Sequence, residues 1–502
     1  MTLLRFSLCL SLGVCLWMGV STRAEAQRSL NDLTGAWQLF VDDYLVESST
    51  NVKRVYHAFE KHAGNPVMKA DKPWEGRNIY VYGTVLPEES GKGYRMWYHG
   101  LPEKKGDDPY RLLYATSKDG VSWEKPSLGI IEYEGSKDNN IYIRRNPRDH
   151  IQSVIHTPWE SSPQRQYMMM NWSSDGYYLT WSPDGIHWTD VPNNPVLTKG
   201  GDVGNFCWDP RTKQYCGYVK LGSVVRDLKR RSVGFTSTSD PLQWPDPELI
   251  IEPDEIDDRW ATPPARTQFY GFCAFPYETM YLGFLWLYRS YPTPADPEGY
   301  MDGVIYVELA SSRDGKHWDR IAPAEDGLRP AILPLGAEGT WDSGMICTTN
   351  HPLVESNQIK LYYGGTLGTH YSASKDWVSA IGLATMRKDG FASLDAKGAI
   401  GVVTTKSLVG YAGKLYANFR SHSPAGCLRV EVLDEEGATV PGYGLADCVA
   451  LTGDCPNSTV RWNGSSSLPA TTSPIRLRFH VSDGSLYSFM AGSEVRLAEA
   501  PR

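Results

Sequence analysis

Four carboxylates stand in settings where a carboxyl group can do acid–base work. Glu75 lies in Lys72-Pro73-Trp74-Glu75-Gly76-Arg77-Asn78, just ahead of the apolar run Ile79 to Val85, and Asp202 opens a similar run in Gly200-Gly201-Asp202-Val203-Gly204-Asn205. Glu278 is flanked by Phe275-Pro276-Tyr277 and by Met280-Tyr281-Leu282, while Asp342 follows Trp341 in Gly339-Thr340-Trp341-Asp342-Ser343-Gly344-Met345. One protonated carboxyl that donates and one carboxylate that attacks or activates water make a minimal set for general acid–base catalysis. Crowding such acids raises the pKa of one of them, which keeps a donor available near neutral pH. Glu278 is expected either as a turn residue or as a partly buried acid of this kind. Trp74, Asp149, Asn205, Trp341 and His351 are the accompanying candidates for ligand contact, and His156 and Trp159 are expected along the same side as Asp149. Glu75 paired with Arg77 and Asp149 in a surface ion pair within Arg148-Asp149-His150 are the plain structural alternatives, and Asp209-Pro210 reads as the far turn of the hairpin that Asp202 opens, with Asp209 structural.

The elements that must position these residues are announced by a phrase that returns five times. It reads Ser117-Lys118-Asp119-Gly120-Val121-Ser122-Trp123, Ser182-Pro183-Asp184-Gly185-Ile186-His187-Trp188, Ser239-Asp240-Pro241-Leu242-Gln243-Trp244, Ser312-Arg313-Asp314-Gly315-Lys316-His317-Trp318 and, decayed, Arg387-Lys388-Asp389-Gly390-Phe391. Asp-Gly supplies the left-handed turn conformations that a tight β-connection needs, and the Ser and Asp side chains can bond the turn's own amides. Aromatic and β-branched runs of strand length, such as Arg111 to Thr116 and Ile305 to Ala310, precede the copies. Self-similarity at blade length predicts one antiparallel unit copied five times, each unable to bury its apolar face alone. The alternative is a generic set of hairpins in a sandwich. Beyond about Val402 the repeat stops, and runs such as Arg476-Leu477-Arg478-Phe479-His480-Val481 alternate polar and apolar residues, as a β-sandwich does.

The chain has 502 residues with 17 Trp and 29 Tyr, enough apolar material for a large core plus a smaller one. Its formal charge is −8 and no basic block exceeds Lys229-Arg230-Arg231, which argues against a nucleic-acid partner. Arg5, the apolar stretch Phe6 to Val20 and Ala24-Glu25-Ala26 read as a signal peptide cleaved near Ala26, so a secreted or periplasmic protein is expected, with no later membrane span. Of the cysteines beyond it, Cys448 and Cys455 are close enough to close a small loop, and Cys207 and Cys216 could face each other across a hairpin. No nucleophile elbow, zinc-protease helix or phosphate loop occurs, and no cofactor is expected. The four acids Asp254, Glu255, Asp257 and Asp258 read as a solvated loop that could also hold a structural Ca²⁺.

Five Asp-Gly-x-x-Trp units followed by a β-sandwich resemble the five-bladed β-propeller glycosidases of glycoside hydrolase families 32, 43 and 68. Leu39-Phe40-Val41-Asp42-Asp43-Tyr44-Leu45-Val46-Glu47 and Trp341-Asp342-Ser343-Gly344-Met345 are similar to phrases of secreted family 32-like proteins. The resemblance implies an all-β fold divided as signal peptide 1–26, propeller 27–402 and sandwich 403–502. It also implies a poly- or oligosaccharide substrate and three carboxylates converging where the innermost strands begin, drawn from Glu75, Asp202, Glu278 and Asp342. Cleavage of a glycosidic bond through an oxocarbenium-like state needs such a set. The Trp-Met-Asn-Asp-Pro-Asn-Gly, Arg-Asp-Pro and Glu-Cys-Pro signatures of family 32 are missing, so a non-catalytic carbohydrate-binding protein is the alternative, and a scaffold role a third.

Overall fold

The computed structural model describes residues 35–101, 110–144, 150–372, 378–409, 411, 413–471 and 473–492; the candidate Asp149 and the signal segment lie outside these. The described chain is all-β, broken only by three short 3₁₀ turns. Its first antiparallel meander runs Asn78–Pro87, Tyr94–Leu101, Arg111–Ser117 and Trp123–Glu124, and its second runs His150–His156, Tyr167–Ser173, Gly176–Ser182 and Thr189–Asp190. The third runs Gly204–Asp209, Gln214–Val225, Leu228–Thr238 and Glu248–Ile251, and the fourth Arg266–Tyr277, Met280–Tyr291, Asp302–Ser312 and Trp318–Arg320. A fifth run lies in the same nine-stranded sheet as the fourth, linked to it by one parallel pair at Ile305 and Met345, and joins Met345–Thr348, Gln358–Thr366 and Ser379–Arg387 to Glu60–Lys61, an outer strand contributed by the N-terminal part of the chain.

Hydrogen bonds link each of these runs to the next and the last back to the first. Val154 N donates to Thr84 Oγ1 at 2.7 Å, Phe206 N to Ser153 Oγ at 2.8 Å and Asn205 Nδ2 to the Ala274 carbonyl at 3.1 Å. Trp286 Nε1 donates to Thr348 Oγ1 at 3.1 Å, and Asn350 N returns to the Gly83 carbonyl at 3.2 Å. Small polar side chains are what such an axis requires. The buried amides there must find partners. Asn205 is therefore a cross-strand brace, 2% exposed, and does not face a cavity.

The repeated phrase does two jobs. Gly120, Gly185 and Gly315 have φ near +79°, +78° and +78°, and the Ser117, Ser182 and Ser312 hydroxyls accept from their amides at 2.8–2.9 Å. Asp314 Oδ1 then accepts from Lys316 N and His317 N at 2.9 and 2.8 Å, and Asp119 and Asp184 repeat that geometry. Each glycine carbonyl also accepts from an aromatic donor on the neighbouring unit: Tyr362 Oη to Gly120 at 2.7 Å, Trp97 Nε1 to Gly185 at 2.7 Å and Tyr218 Oη to Gly315 at 3.0 Å. The turn thus closes its own hairpin and staples two sheets together. The decayed fifth copy serves differently. Asp389 is fully buried and accepts from Tyr277 Oη and Ser488 Oγ at 2.6 Å each, joining the meanders to the C-terminal strands.

Two further sheets share one apolar cluster that includes Phe40, Phe419, Val430, Phe479 and Phe489. The expected boundary at 402/403 does not follow the pairing. Gln38–Leu39, Val46–Thr50, Lys53–Tyr56, Ala392–Ala396 and Gly401–Thr405 all belong to these sheets, so both ends of the chain build them. All seven described cysteines are free. Cys207 and Cys216 do sit directly opposite each other, but Cys448 pairs in register with Trp462 and is not bonded to Cys455.

Candidate functional site

The starts of the meanders' first strands gather at one end of the assembly and their ends at the other. Two cavities result. The one at the strand starts has a volume of about 190 Å³ and is bordered by Tyr80, Tyr110, His150, Asp202, Tyr270 and His370. The one at the strand ends is larger, about 530 Å³, and includes Trp159, Trp208, Glu278, Asn350 and His351.

Asp202 is placed at the first cavity by a short hairpin. The turn after Asp209 sets the register that puts Lys220 opposite Val203, one residue from Asp202, with Lys220 N donating to the Val203 carbonyl at 2.9 Å. Lys220 Nζ donates to Asp202 Oδ1 and lies 4.7 Å from the centre of the Tyr270 ring. Burial works against ionisation of Asp202, but the Lys220 charge and hydrogen bond outweigh it and hold the carboxyl below its ordinary value. Burial also lowers Lys220, against the pull of Asp202. The glycines expected to bring backbone up to a ligand do something else. A Cβ on Gly201 would sit 2.7 Å from Lys220 Cε, and one on Gly204 2.7 Å from Tyr177 Oη, so both glycines clear room for protein side chains.

Around Asp202 the groups are aromatic and imidazole. His150, at the start of its strand, shares a hydrogen bond of 3.1 Å with Tyr80 Oη through Nδ1, and its ring lies 4.6 Å from that of Tyr110. Burial brings the His150 pKa down to about 4, so the imidazole is neutral over the ordinary pH range. His370, also lowered to about 4 by burial, lies within 3.1 Å of Tyr270 Oη through Nε2. Arg231 stands behind them, half-enclosed by Tyr270, Tyr288 and Tyr300, with its Nη1 donating to Gln268 Oε1 at 2.9 Å. Stacked rings, hydroxyls and neutral imidazoles suit a polyhydroxylated ring, which presents apolar C–H faces and hydroxyl edges.

The expected convergence of carboxylates is not found among the described residues. Asp202 alone of the four borders the strand-start cavity. Glu75 is fully buried beneath the first meander, where Oε2 accepts from Asp71 N and Lys72 N at 2.8 and 3.0 Å, Oε1 accepts from Tyr98 Oη at 2.7 Å, and Lys125 Nζ lies 2.7–2.8 Å from both oxygens. Trp74 beside it spends its indole N–H on Asn140 Oδ1 at 2.5 Å. Asp342 is 3% exposed and accepts from Lys61 Nζ at 2.6 Å and Tyr363 Oη at 3.0 Å, while Trp341 stacks on Tyr363 at 5.6 Å. These two acids neutralise buried or half-buried lysines and brace their sheets; neither faces either cavity.

Glu278 and His351 fall at the other end of the ring, about one strand length from Asp202. Glu278 occupies the turn between Arg266–Tyr277 and Met280–Tyr291 with φ +49°, and its Oε2 accepts from Trp37 N at 3.0 Å. Burial, with Asp389 next to it, raises its pKa against the pull of Lys388 3.7 Å away, so both expectations for it, turn residue and raised acid, describe the same group. His156 and Trp159 both border the strand-end cavity, at the far end of the strand that begins at His150; Asp149, their expected companion, lies outside the described residues. Three of the four loop acids are committed to arginines: Asp254 and Asp257 to Arg329, Asp257 to Arg320, and Asp258 to Arg226 and Arg230.

No known family model matches the chain. Two uncharacterised proteins from two strains of Mycobacterium tuberculosis are each 28% identical to it over 160 residues, 31% of this chain. The match spans 47%, about half, of the length of those curated relatives. Among solved structures, an N-acetylgalactosamine deacetylase from F. plautii in complex with blood group B trisaccharide aligns at 14% identity and a TM-score of 0.43, over 68% of this chain and 97% of that one. A glycoside hydrolase family 43 arabinoxylan arabinofuranohydrolase from Bacillus subtilis aligns at 11% identity and 0.41, over 87% and 99%. An exo-inulinase from Aspergillus awamori aligns at 11% and 0.36, over 84% and 99%. At such scores the likeness carries no weight for the site or the activity.

Proposed function

We propose that the five meanders are blades of a five-bladed β-propeller joined to a β-sandwich, and that this exported protein cleaves glycosidic bonds of a poly- or oligosaccharide in the cavity at the strand starts. The circle of hydrogen bonds between the units, closed by the N-terminal strand Glu60–Lys61, supports the propeller. One observation carries the functional reading: Asp202, held ionised by Lys220, borders a small cavity of tyrosine and neutral histidine at the end of the ring where the resemblance places sugar chemistry. Asp202 is the group that would attack the anomeric carbon or activate water on its face, and Tyr80, Tyr110 and Tyr270 would hold the ring. No cofactor is required for this chemistry.

A second reading, glycan binding without cleavage, is favoured by a specific observation. Among the described residues no second carboxylate borders the cavity to protonate the leaving oxygen. Reducing-sugar release by the protein across plant and algal polysaccharides, sulfated ones included, separates the two. Turnover that falls by at least about a hundredfold in Asp202→Asn, with the fold intact, is the expected result. Turnover that survives in Asp202→Asn would overturn the assignment to this cavity, and saturable binding without turnover would leave the binding reading.

A further inference from the structure

The larger cavity lies at the opposite end of the ring from Asp202 and plays no part in the proposed cleavage. Its floor holds Asn350, 1% exposed, whose Nδ2 and Oδ1 both have no hydrogen-bond partner among the described residues. A buried carboxamide with neither end satisfied costs stability that a ligand carrying both a donor and an acceptor would restore. Its wall holds a pair of indoles: Trp159 stacks on Trp208 at 4.4 Å with 22° between planes, is pinned by its N–H to Tyr215 Oη at 3.2 Å, and keeps 39% of its surface open. His351 stands beside Asn350, and Leu86, Val154 and Phe275 make the surrounding surface apolar.

We infer that this strand-end cavity is a second carbohydrate site that binds a neutral saccharide, its ring face on Trp159 and its hydroxyls on Asn350 and His351. A hydroxyl supplies the donor and the acceptor that Asn350 lacks; a purely apolar ligand supplies neither. The charged groups at the rim are already engaged. Arg211 lies 4.0 Å from Asp209 Oδ1 and Glu278 3.7 Å from Lys388 Nζ, so each of these two charges has an opposite charge of the protein beside it. Burial lowers both His351 and His156, so neutral imidazoles face the ligand. The volume of about 530 Å³ is within the range of ligand pockets, about 300–1,000 Å³. Two sugar sites at opposite ends of one ring would let the protein hold a polysaccharide at one while acting on a chain at the other, and this inference stands whether or not Asp202 catalyses.

The test is ligand-observed saturation-transfer NMR with cellobiose, xylobiose, maltose and lactose in the millimolar range, using the protein, Trp159→Ala, Asn350→Leu and Asp202→Asn. Binding of at least one disaccharide is expected, with a component that is weakened about tenfold or more in Trp159→Ala and in Asn350→Leu and that persists in Asp202→Asn. Should one cavity variant fail to fold, as judged by circular dichroism, the other carries the comparison. Absence of transfer to all four sugars overturns the inference, as does binding that Asp202→Asn removes while Trp159→Ala and Asn350→Leu keep it. In the last case the sugar sits only at the strand starts, and the proposed function stands without a second site.

Discussion

Replacing Glu75 by Gln separates a carboxylate that holds the fold from one that does chemistry. In the structure its two oxygens receive two backbone amides, the Tyr98 hydroxyl and Lys125, and Lys125 has a side chain only 6% exposed. Breaking a buried ion pair by removing one partner costs about 3–5 kcal/mol, because the charge left behind is unpaired. Lys125 keeps Asp71 Oδ1 at 2.7 Å and the Lys69 carbonyl at 2.9 Å, so part of that cost is relieved. The amide also puts an NH₂ where at least one acceptor was needed. A loss of about 2–3 kcal/mol follows, which for a unit of this size lowers Tm by about 3–4 °C. Thermal unfolding of Glu75→Gln followed by near-ultraviolet circular dichroism measures the shift, and sugar binding or turnover per folded molecule is measured alongside. The expected outcome is a lower Tm with unchanged activity. A variant with unchanged Tm and abolished turnover would refute the structural role and restore Glu75 to the chemistry.

Asp314 is held at a pKa of about 2: burial opposes this, but His317 and the turn amides outweigh it. Its folded value is depressed, so its contribution is present above the ordinary value near 3.8 and is lost as pH falls through about 2. Asp314→Asn should therefore flatten the acid limb of the stability curve between about pH 4 and pH 2, and unfolding midpoints unchanged over that window would contradict the turn's role. The free cysteines make a chemical prediction: unfolded without reductant, the protein from Gln27 onward should show seven titratable thiols, and the native protein at most Cys427. Five thiols on unfolding would mean a disulfide that the structure does not contain.

Local rules made the hairpins legible. Ser-x-Asp-Gly-x-x-Trp encodes its own turn through a hydroxyl, a carboxylate and a glycine with positive φ, so the copies at Asp119, Asp184 and Asp314 could be read without any tertiary knowledge. Lys220 could also have been found, since the turn at Asp209 fixes a register that brings it beside Asp202. Nothing local distinguishes an acid that enters an inner strand from one that leaves it. Asp202 and Glu278 carry similar apolar flanks, yet one stands before Gly204–Asp209 and the other after Arg266–Tyr277, at opposite ends of the ring. Nor does sequence show which acids meet a buried cation: Glu75 finds Lys125 fifty positions on, and Asp342 finds Lys61 from the strand that closes the fifth meander. His150, Tyr270, His370 and Asn350 carried no motif, because what makes them candidates is the cavity they share and, for Asn350, the partner it lacks. The sequence by itself determined the Ser-x-Asp-Gly turns and the strand chemistry. The tertiary structure decided which end of the ring each side chain faces and which carboxylates are spent on lysine and arginine, because facing and pairing depend on strands far apart in the chain.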